Sequence, residues 1–210
     1  MKPTRHEAAR ATPDGSPRNG DDALRERLVS SEVLRHSRIL EFRVDTVELP
    51  DGSRSTRDVA GHPGGVAIVA LDADGRVLMV RQWRHAIGRA LLEIPAGTLD
   101  RHADGSVEDH AGAAARELEE ETGFRAATWR YLGGFYTAPG FTSELLHLYL
   151  ATDLSPAHEG RLGPDDDERL ELEALPLRDA VALADRGEIA DAKSIVGVLR
   201  VDRLLGARRA

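Results

Sequence analysis

Runs of β-branched, aromatic and aliphatic residues alternate along the chain with short clusters of turn-forming residues, a pattern that predicts mostly β-strands. The turn sequences Pro50-Asp51-Gly52-Ser53 and Asp72-Ala73-Asp74-Gly75 each separate two such runs, as in hairpins. The predicted strands span Arg38–Leu49, Arg54–Ala60, Gly65–Leu71, Arg76–Trp83, Leu92–Ile94, Arg130–Tyr136, Glu144–Ala151 and Arg169–Leu175.

Three segments carry helical signals instead. Asp109–Glu121 is rich in alanine and glutamate and is followed by Gly123, a residue typical of helix C-termini. The other two, Leu177–Arg186 and Asp191–Leu205, lie near the C-terminus, and Asp191 is a favourable N-cap. Because simple strand–helix–strand alternation is missing, the pattern predicts an α+β fold with a mixed sheet.

The order of these elements divides the chain into three parts. Residues 1–22 mix Pro, Gly, Ser, Asp and Arg without an apolar period, so we expect a disordered tail. Residues 23–60 form a β-rich segment, and because isolated two-stranded hairpins are only marginally stable, this segment must pack against something else. We assign residues 61–210 to the main domain.

Composition and charge exclude several classes of protein. None of the 210 residues is a cysteine, which excludes a disulfide scaffold, a thiolate nucleophile and a sulfur-based metal site. The net charge of −8 disfavours a general nucleic-acid binder. The apolar runs are too short to span a membrane and the N-terminus lacks a signal peptide's apolar core, so we expect a cytoplasmic protein without a membrane partner. Only two residues, Lys2 and Lys193, are lysines among 28 basic residues.

The middle helix carries an unusual concentration of negative charge. Glu117, Glu119, Glu120 and Glu121 place four carboxylates in five positions, and Glu117 and Glu121 share a helix face with Glu120 nearby. Like charges at this spacing repel by a few tenths of a kcal/mol, roughly. A solvated acidic face is one interpretation. A divalent cation is the other, because Mg²⁺ prefers carboxylate oxygens and shares its coordination sphere with phosphates.

The sequence around this helix resembles the signature of a known family. The run Glu108-x7-Arg116-Glu117-Leu118-x-Glu120-Glu121-x-Gly123-Phe124 is similar to the Nudix box of the Nudix hydrolases. The box places its leading glycine six positions before the first glutamate, where this chain has His102. If Gly97 is that glycine, ten residues separate it from Glu108 instead of five, which indicates a loop insertion around Arg101–Gly105.

The resemblance implies an α/β/α sandwich and the hydrolysis of a diphosphate linked to another moiety, with Mg²⁺ or Mn²⁺ as the cofactor. It also implies that Glu117 and Glu121 are metal ligands and that the carbonyl of Ala96 is a further ligand. Glu120 would belong to the catalytic set beside them. Arg116 would orient a helix glutamate through a salt bridge rather than touch the substrate.

A second motif narrows the resemblance to a subfamily. Thr137-Ala138-Pro139-Gly140-Phe141-Thr142-Ser143-Glu144, with Pro139 sixteen residues after Gly123, is similar to the proline motif of ADP-ribose pyrophosphatases. A Pro-Gly pair between strands can also be an ordinary turn. However, Gln82-Trp83-Arg84 and Glu93-Ile94-Pro95-Ala96-Gly97 also agree with this subfamily.

This narrower resemblance implies a substrate-binding set of Arg84, Glu93, Pro139 and Glu144, with the terminal ribose donating hydrogen bonds to Glu144. The guanidinium of Arg84 suits phosphate or ribose oxygens. Alternatively, Arg84 and Glu144 pair with each other and have only a structural role.

The acidic run Asp165-Asp166-Asp167-Glu168 precedes the last predicted strand. An isolated acidic loop is usually just exposed to solvent. Here its position resembles the mobile loop that supplies the subfamily's catalytic base and a further metal ligand. The resemblance implies Glu168 as the metal ligand and Asp166 as the base, although a neighbouring residue could take either role.

The subfamily resemblance also implies a homodimer, because the segment equivalent to residues 23–60 forms a small sheet that is exchanged between subunits. Phe42 and Val44 would supply apolar contacts, and Arg43 or Arg54 would reach the partner's ligand. A hairpin folded back on its own domain is the alternative.

Three functions stay open on the sequence. The first is a metal-dependent ADP-ribose pyrophosphatase that yields AMP and ribose 5-phosphate. The second is a Nudix hydrolase for another nucleoside diphosphate derivative, such as a nucleotide sugar, NADH or a diadenosine polyphosphate. The third is a non-catalytic Nudix domain that senses a ligand, although such domains tend to lose the box glutamates that this chain keeps.

Overall fold

A computed structural model describes residues 21–102, 104–157, 163 and 169–207, in which the strands form two sheets. The smaller sheet is antiparallel and contains β1 (Arg27–His36), β2 (Glu41–Glu48) and β3 (Arg54–Gly61) in that order. The predicted hairpin corresponds to β2 and β3. The first strand was not predicted, because its residues are almost all exposed and two register irregularities disturb its hydrophobic alternation.

The larger sheet has seven strands and is mixed, as predicted. Its main path runs β10-β5-β4-β9-β8, with β6 paired to β5 and β7 paired to β4. The β4–β9 pair is parallel and the other pairs are antiparallel. The strands are β4 (Gly65–Leu71), β5 (Arg76–Arg84), β6 (Arg89–Glu93), β7 (Ala96–Thr98), β8 (Phe124–Tyr136), β9 (Leu145–Pro156) and β10 (Leu170–Pro176).

Three α-helices lie close to their predicted positions: α1 (His110–Thr122), α2 (Leu177–Asp185) and α3 (Ala192–Gly206). The Asp109 carboxylate caps α1 by accepting hydrogen bonds from the backbone N–H groups of Ala111 and Gly112. Gly123 ends α1 in the left-handed conformation with φ of 72°, which a residue without a Cβ adopts without strain. None of the helices in the described part of the chain has the length and apolar character that crossing a membrane requires.

The sheet is buried between helices on both faces, and β4 shows how the sequence produces this arrangement. All seven of its residues are buried. Side chains alternate along a strand, so Val66 and Ile68 pack in the cluster with α1, while Ala67 and Val69 pack in the cluster with α2 and α3. Burying each of the larger side chains stabilises the fold by about 1.5–3 kcal/mol. The predicted α/β/α sandwich is confirmed.

A cluster of histidine and tyrosine side chains fills the space between the start of α1 and the sheet. The rings of His110 and His147 stack with their centroids 4.1 Å apart, and the Tyr131 hydroxyl lies 3.1 Å from Nδ1 of His147. The Tyr149 hydroxyl contacts Nδ1 of His110. Burial, followed by the charge of His110, lowers the pKa of His147 to about 4. His147 is therefore neutral near pH 7, which suits a ring stacked in the interior.

The insertion that precedes α1 forms a closed hairpin. Arg101 and Val107 form an antiparallel bridge. At the base, the Glu108 N–H donates to the Asp100 carbonyl over 2.8 Å, and the Asp100 N–H donates to Oε2 of Glu108 over 3.2 Å. The two ends of the insertion are therefore held together, and the chain enters α1 from a fixed point.

Candidate active site

The glutamates of α1 lie directly against strand β7. The N–H of Ala96 donates a hydrogen bond to Oε2 of Glu121 over 3.1 Å. At Gly97, a Cβ atom would come within 1.8 Å of Oε1 of Glu117. The glycine is required here because the Glu117 carboxylate occupies the space that any side chain would fill. Strand β7 thereby brings Glu117 and Glu121 to one short stretch of backbone.

Arg116 holds the acidic residues of this region together. Its Nη1 group donates to Oε1 of Glu117 and to Oε2 of Glu120, each over 2.8 Å. Its Nε and Nη2 groups donate to Glu108 over 3.1 and 2.9 Å. Hydrogen bonding to Arg116 holds the pKa of Glu108 below its usual range despite partial burial. The orienting salt bridge expected for Arg116 is therefore present, and it involves three carboxylates.

Glu119 is turned away from the other three glutamates. Both of its carboxylate oxygens accept hydrogen bonds of 2.7 Å from Arg125 at the start of β8. The four acidic positions of the helix thus separate into a structural ion pair and a group that faces β7. This division provides an internal comparison, because Glu119 and Glu121 are both buried but have different surroundings.

The group that faces β7 suits a divalent cation. Carboxylate oxygens of Glu117 and Glu121 meet the backbone at residues 96–97, which is the hard-oxygen donor type that Mg²⁺ and Mn²⁺ accept. Within the described ranges, no group of three His, Cys, Asp or Glu side chains forms a complete metal cluster. The predicted ligand Glu168 and the predicted base Asp166 lie outside the described residues, and both assignments stay predictions.

The basic side of the site is centred on Arg84, at the end of β5. Its Nε and Nη2 groups donate to Oε1 and Oε2 of Glu93 over 2.7 and 2.6 Å, a two-point pair. Lys193 of α3 contacts the same Oε2 atom. The alternative in which Arg84 pairs with Glu144 is wrong, because the carboxylate that holds Arg84 is that of Glu93 on the neighbouring strand.

Glu93 is enclosed by these two cations. Its side chain is only 1% exposed. Burial acts to raise the pKa of Glu93, but the hydrogen bonds from Arg84 and the charge of Lys193 outweigh burial, and the pKa falls below its usual value. Glu93 is therefore ionised near pH 7. The sequence prediction placed Glu93 in the substrate-binding set, and the structure places it behind Arg84 with both oxygens engaged.

A cleft of about 790 Å³ is lined by both Arg84 and Glu144. Oε2 of Glu144 accepts a hydrogen bond of 2.5 Å from the Thr137 hydroxyl. Pro139 lies in the turn between these two residues, where the N–H of Phe141 donates to the carbonyl of Ala138 over 3.1 Å. The proline motif therefore contributes to the lining of the cleft, while the substrate-binding roles of Arg84 and Glu144 stay predictions.

Two residues of this region were not predicted as site residues. His62 lines the cleft with Nε2 at 3.6 Å from Oε1 of Glu144, and burial lowers its pKa. Nothing in the sequence around His62 distinguishes it from an ordinary surface histidine. Lys193 did carry a signal, because it is one of only two lysines in a chain whose other basic residues are arginines.

The small N-terminal sheet contributes to the same cleft. The turn that joins β1 to β2 supplies residues 37–40 to the lining. The N–H of Ala60, near the end of β3, donates to the carbonyl of Phe141 over 2.8 Å. The small sheet is thus attached to the proline-motif loop, and its position affects the shape of the cleft.

Residues 61–196 match the sequence profile of the NUDIX domain. The chain belongs to the Nudix family. The Nudix fold agrees with a solved structure described as an ADP compounds hydrolase, which superimposes with a TM-score of 0.74 at 24% identity, over 87% of this chain and 95% of the other. Nudix hydrolases generally use divalent metal ions, which agrees with the acidic group on α1.

Several Nudix relatives share most of their length with this chain. The ADP-ribose pyrophosphatase of Mycobacterium tuberculosis is 42% identical over 174 residues, covering 82% of this chain and 81% of the relative. The ADP-ribose pyrophosphatase of Bacillus subtilis is 38% identical over 176 residues, covering 84% and 92%. The methanol dehydrogenase activator of Bacillus methanolicus is 38% identical over 173 residues, covering 82% and 90%.

Proposed function

We propose that this protein is a metal-dependent hydrolase that cleaves ADP-ribose to AMP and ribose 5-phosphate. The observation that carries the proposal is that Arg84 and Glu144 line the same cleft. Arg84 is hydrogen-bonded to Glu93, and Ala96, three residues further along the chain, donates to Glu121, so one short segment joins the cleft to the acidic group of α1. Two relatives at 38% and 42% identity are ADP-ribose pyrophosphatases, which supports this substrate over other diphosphates.

In this proposal Glu117, Glu121, Glu168 and the carbonyl of Ala96 hold Mg²⁺ or Mn²⁺. When bound there, such a metal would supply neutralisation of the charge that develops on the phosphate oxygens and a lowered pKa of the attacking water. Arg116 keeps Glu117 and Glu120 oriented through its hydrogen bonds.

The remaining residues bind the substrate and move the proton. Arg84 donates hydrogen bonds to phosphate or ribose oxygens, and Glu144 accepts hydrogen bonds from the terminal ribose hydroxyls. Asp166 takes the proton from the water molecule whose oxygen attacks phosphorus. A phosphorus–oxygen bond of the diphosphate breaks, so that one phosphate leaves with the adenosine and the other with the ribose.

A substrate panel with Mg²⁺, measured by the release of AMP, tests the proposal. We expect kcat/KM for ADP-ribose to exceed that for NADH, diadenosine polyphosphates and nucleotide sugars. A clear preference for one of those compounds would replace ADP-ribose with that substrate. Binding of ADP-ribose without turnover of any compound would point to a ligand-sensing domain instead.

We also propose that residues 23–60 form a dimerisation segment and that the protein is a homodimer. The small sheet exposes several large apolar side chains, among them Leu28, Val33, Leu34 and Phe42. Exposed large apolar side chains on a small sheet suit an interface, and two-fold dimers are the commonest oligomers. Light scattering at micromolar concentration tests the idea, because a single species of 22.8 kDa would contradict it.

Two truncations separate the proposed parts of the chain. Removal of residues 1–22 should leave the dimer and its activity unchanged. Removal of residues 1–60 should abolish both, because the second truncation takes away the sheet that lines the cleft. Equal effects of the two truncations would contradict the boundary at residue 22. The cytoplasmic location and the absence of nucleic-acid and membrane partners stay predictions from composition.

A further inference from the structure

The first turn of α3 is hydrogen-bonded to the residue that directly follows β6, next to Glu93. The Asp191 carboxylate caps α3 by accepting a hydrogen bond of 3.1 Å from the N–H of Ser194. The Ser194 hydroxyl in turn accepts a hydrogen bond of 2.8 Å from the N–H of Ile94, the residue after Glu93. The first turn of α3 is therefore held at a fixed distance from Glu93.

Lys193 extends this connection from the backbone to the side chains. Its ammonium group contacts Oε2 of Glu93 and lies 3.0 Å from Oδ2 of Asp191. The Lys193 side chain is only 13% exposed, so a long and flexible side chain is ordered in the interior. Ordering it costs about 2 kcal/mol of side-chain entropy. Stability alone does not call for a buried ion pair, because apolar residues of similar volume often serve as well.

The position of Lys193 gives Glu93 two different kinds of partner. Arg84 is 39% exposed and belongs to the cleft, whereas Lys193 is buried and belongs to α3. With Arg84 alone, the carboxylate and the guanidinium could turn together as a pair. Because Lys193 fixes Oε2 from the other side, Glu93 becomes a rigid support for Nε and Nη2 of Arg84. The orientation of the Arg84 Nη1 group is then fixed through Glu93 and Lys193, and Lys193 is in turn held by Asp191, the N-cap of α3.

We propose that Lys193 is a positioning residue for substrate binding, which orients Arg84 toward the diphosphate through Glu93. This inference rests on the proposed function, because it assumes that Arg84 binds the substrate. Lys193 itself does not touch the substrate.

The test is a double-mutant cycle with Lys193→Met and Arg84→Ala. Loss of a hydrogen bond between charged groups corresponds to roughly a tenfold change, so we expect Lys193→Met to raise KM about tenfold with kcat changed less than about threefold. In the Arg84→Ala background, the same substitution should change KM less than about twofold, because the residue through which it acts is gone. Additive effects in the two backgrounds would overturn the proposal.

Three further variants keep the test decisive. Arg203→Met removes a positive charge from the exposed face of the same helix and should leave KM unchanged. Lys193→Arg keeps the charge and should restore most of the loss, whereas a purely steric role would not be rescued by charge. If Lys193→Met does not fold, Lys193→Gln retains a donor for Glu93 and takes its place, with an intermediate increase in KM.

Binding of ADP, measured by calorimetry on the same proteins, separates this inference from the proposed function. We expect Lys193→Met to weaken ADP binding by about the factor by which it raises KM. Unchanged ADP affinity would overturn the inference even if the wild-type protein hydrolyses ADP-ribose. Conversely, weakened ADP binding would support the inference even if ADP-ribose proves not to be the substrate. If the wild-type protein binds no ADP, the KM values of the double-mutant cycle decide the inference and the substrate panel decides the proposed function.

Discussion

Two groups of charged residues in the candidate active site are each organised around one central residue, and we call them the acidic wall and the basic wall. On the acidic wall, Arg116 is shared by Glu108, Glu117 and Glu120. On the basic wall, Glu93 is shared by Arg84 and Lys193. In both places one central ion is hydrogen-bonded to more than one ion of opposite charge, and in both places the central ion is hydrogen-bonded to more than one element of the fold.

The two walls differ in whether charge is left over. On the acidic wall, a single arginine among several carboxylates leaves negative charge, which suits a cation. On the basic wall, Asp191 also pairs with Lys193, so two carboxylates balance two cations, and Arg84 is the partly exposed cation that a phosphate can approach. The shared counter-ion explains how like-charged side chains stay close together in the folded protein before a ligand binds. It also predicts that removing the shared counter-ion disturbs all the side chains that it holds.

The largest effect should come from the acidic wall itself. Glu121→Gln keeps an acceptor for the N–H of Ala96 but removes the charge that would hold the metal. Because the metal supplies several kcal/mol of transition-state stabilisation, we expect kcat to fall about a thousandfold or more. Steady-state kinetics at saturating Mg²⁺ measures this loss. Glu117→Gln should behave similarly.

Glu119→Gln is the matched control for that prediction. Glu119 lies on the same helix and is equally buried, but its partner is Arg125. The substitution should lower the melting temperature slightly and leave kcat within a few fold of wild type. Equal loss of activity in Glu119→Gln and Glu121→Gln would show that the assignment of helix faces is wrong.

The next effect tests whether the acidic wall extends beyond α1. Asp166→Asn should reduce kcat by about a hundredfold or more with little change in KM, because general base catalysis contributes to the chemical step. Glu168→Gln should in addition raise the Mg²⁺ concentration needed for half-maximal rate. A change confined to KM in Asp166→Asn would instead make this loop part of the binding site.

Removing the central residue of the acidic wall should have a smaller effect than removing a ligand. Arg116→Gln leaves Glu117 and Glu120 charged but no longer oriented, so we expect the half-saturating Mg²⁺ concentration to rise about 10- to 100-fold. Arg116→Lys should recover only part of the loss, since an ammonium group lacks the planar fork that reaches three carboxylates. Titration of activity against Mg²⁺ decides the outcome, and an unchanged titration curve would contradict it.

The smallest effect concerns the histidines beneath the acidic wall. Burial lowers the pKa of His147 from 6.5 to about 4, so the folded protein resists a protonation that the unfolded chain accepts. The stability that His147 contributes is complete above about pH 6.5 and decreases as the pH falls toward 4. Melting temperatures at about pH 7 and about pH 5 should therefore differ less in His147→Gln than in wild type. An equal change of melting temperature with pH in His147→Gln and in wild type would contradict this assignment.

Much of the fold followed from local patterns. Strand β4 was predictable because burial on both faces produces a short continuous apolar run. The ends of α1 and the start of α3 were predictable because the capping residues Asp109, Gly123 and Asp191 act within a few residues of the helix ends. Strand β1 was not predictable, because its exposed residues depend on pairing with β2. The predicted strand Leu92–Ile94 overlaps only the last two residues of β6, and the separate strand β7 depends on pairing with β4.

The residues of the candidate site also divide into those that a local motif predicts and those that only the folded chain brings together. The acidic residues of α1 were predictable from one contiguous motif, and their contact with Gly97 agrees with the glycine chosen from the sequence. The pair of Arg84 and Glu93 was not predictable as a pair, since nine residues and a hairpin separate them. Lys193 lies a hundred residues from Glu93, and only the packing of α3 against the sheet brings it there.

The hairpin before α1 is a suitable place to attach a label near the acidic residues of α1. Its base is fixed by the mutual hydrogen bonds of Asp100 and Glu108, and Glu108 is bonded to Arg116. The chain contains no cysteine, so a single Ser106→Cys substitution at this exposed turn would create a unique site for a fluorescent label. A dye attached there would sit beside the acidic wall without replacing any of its residues, and its emission could report metal binding in real time.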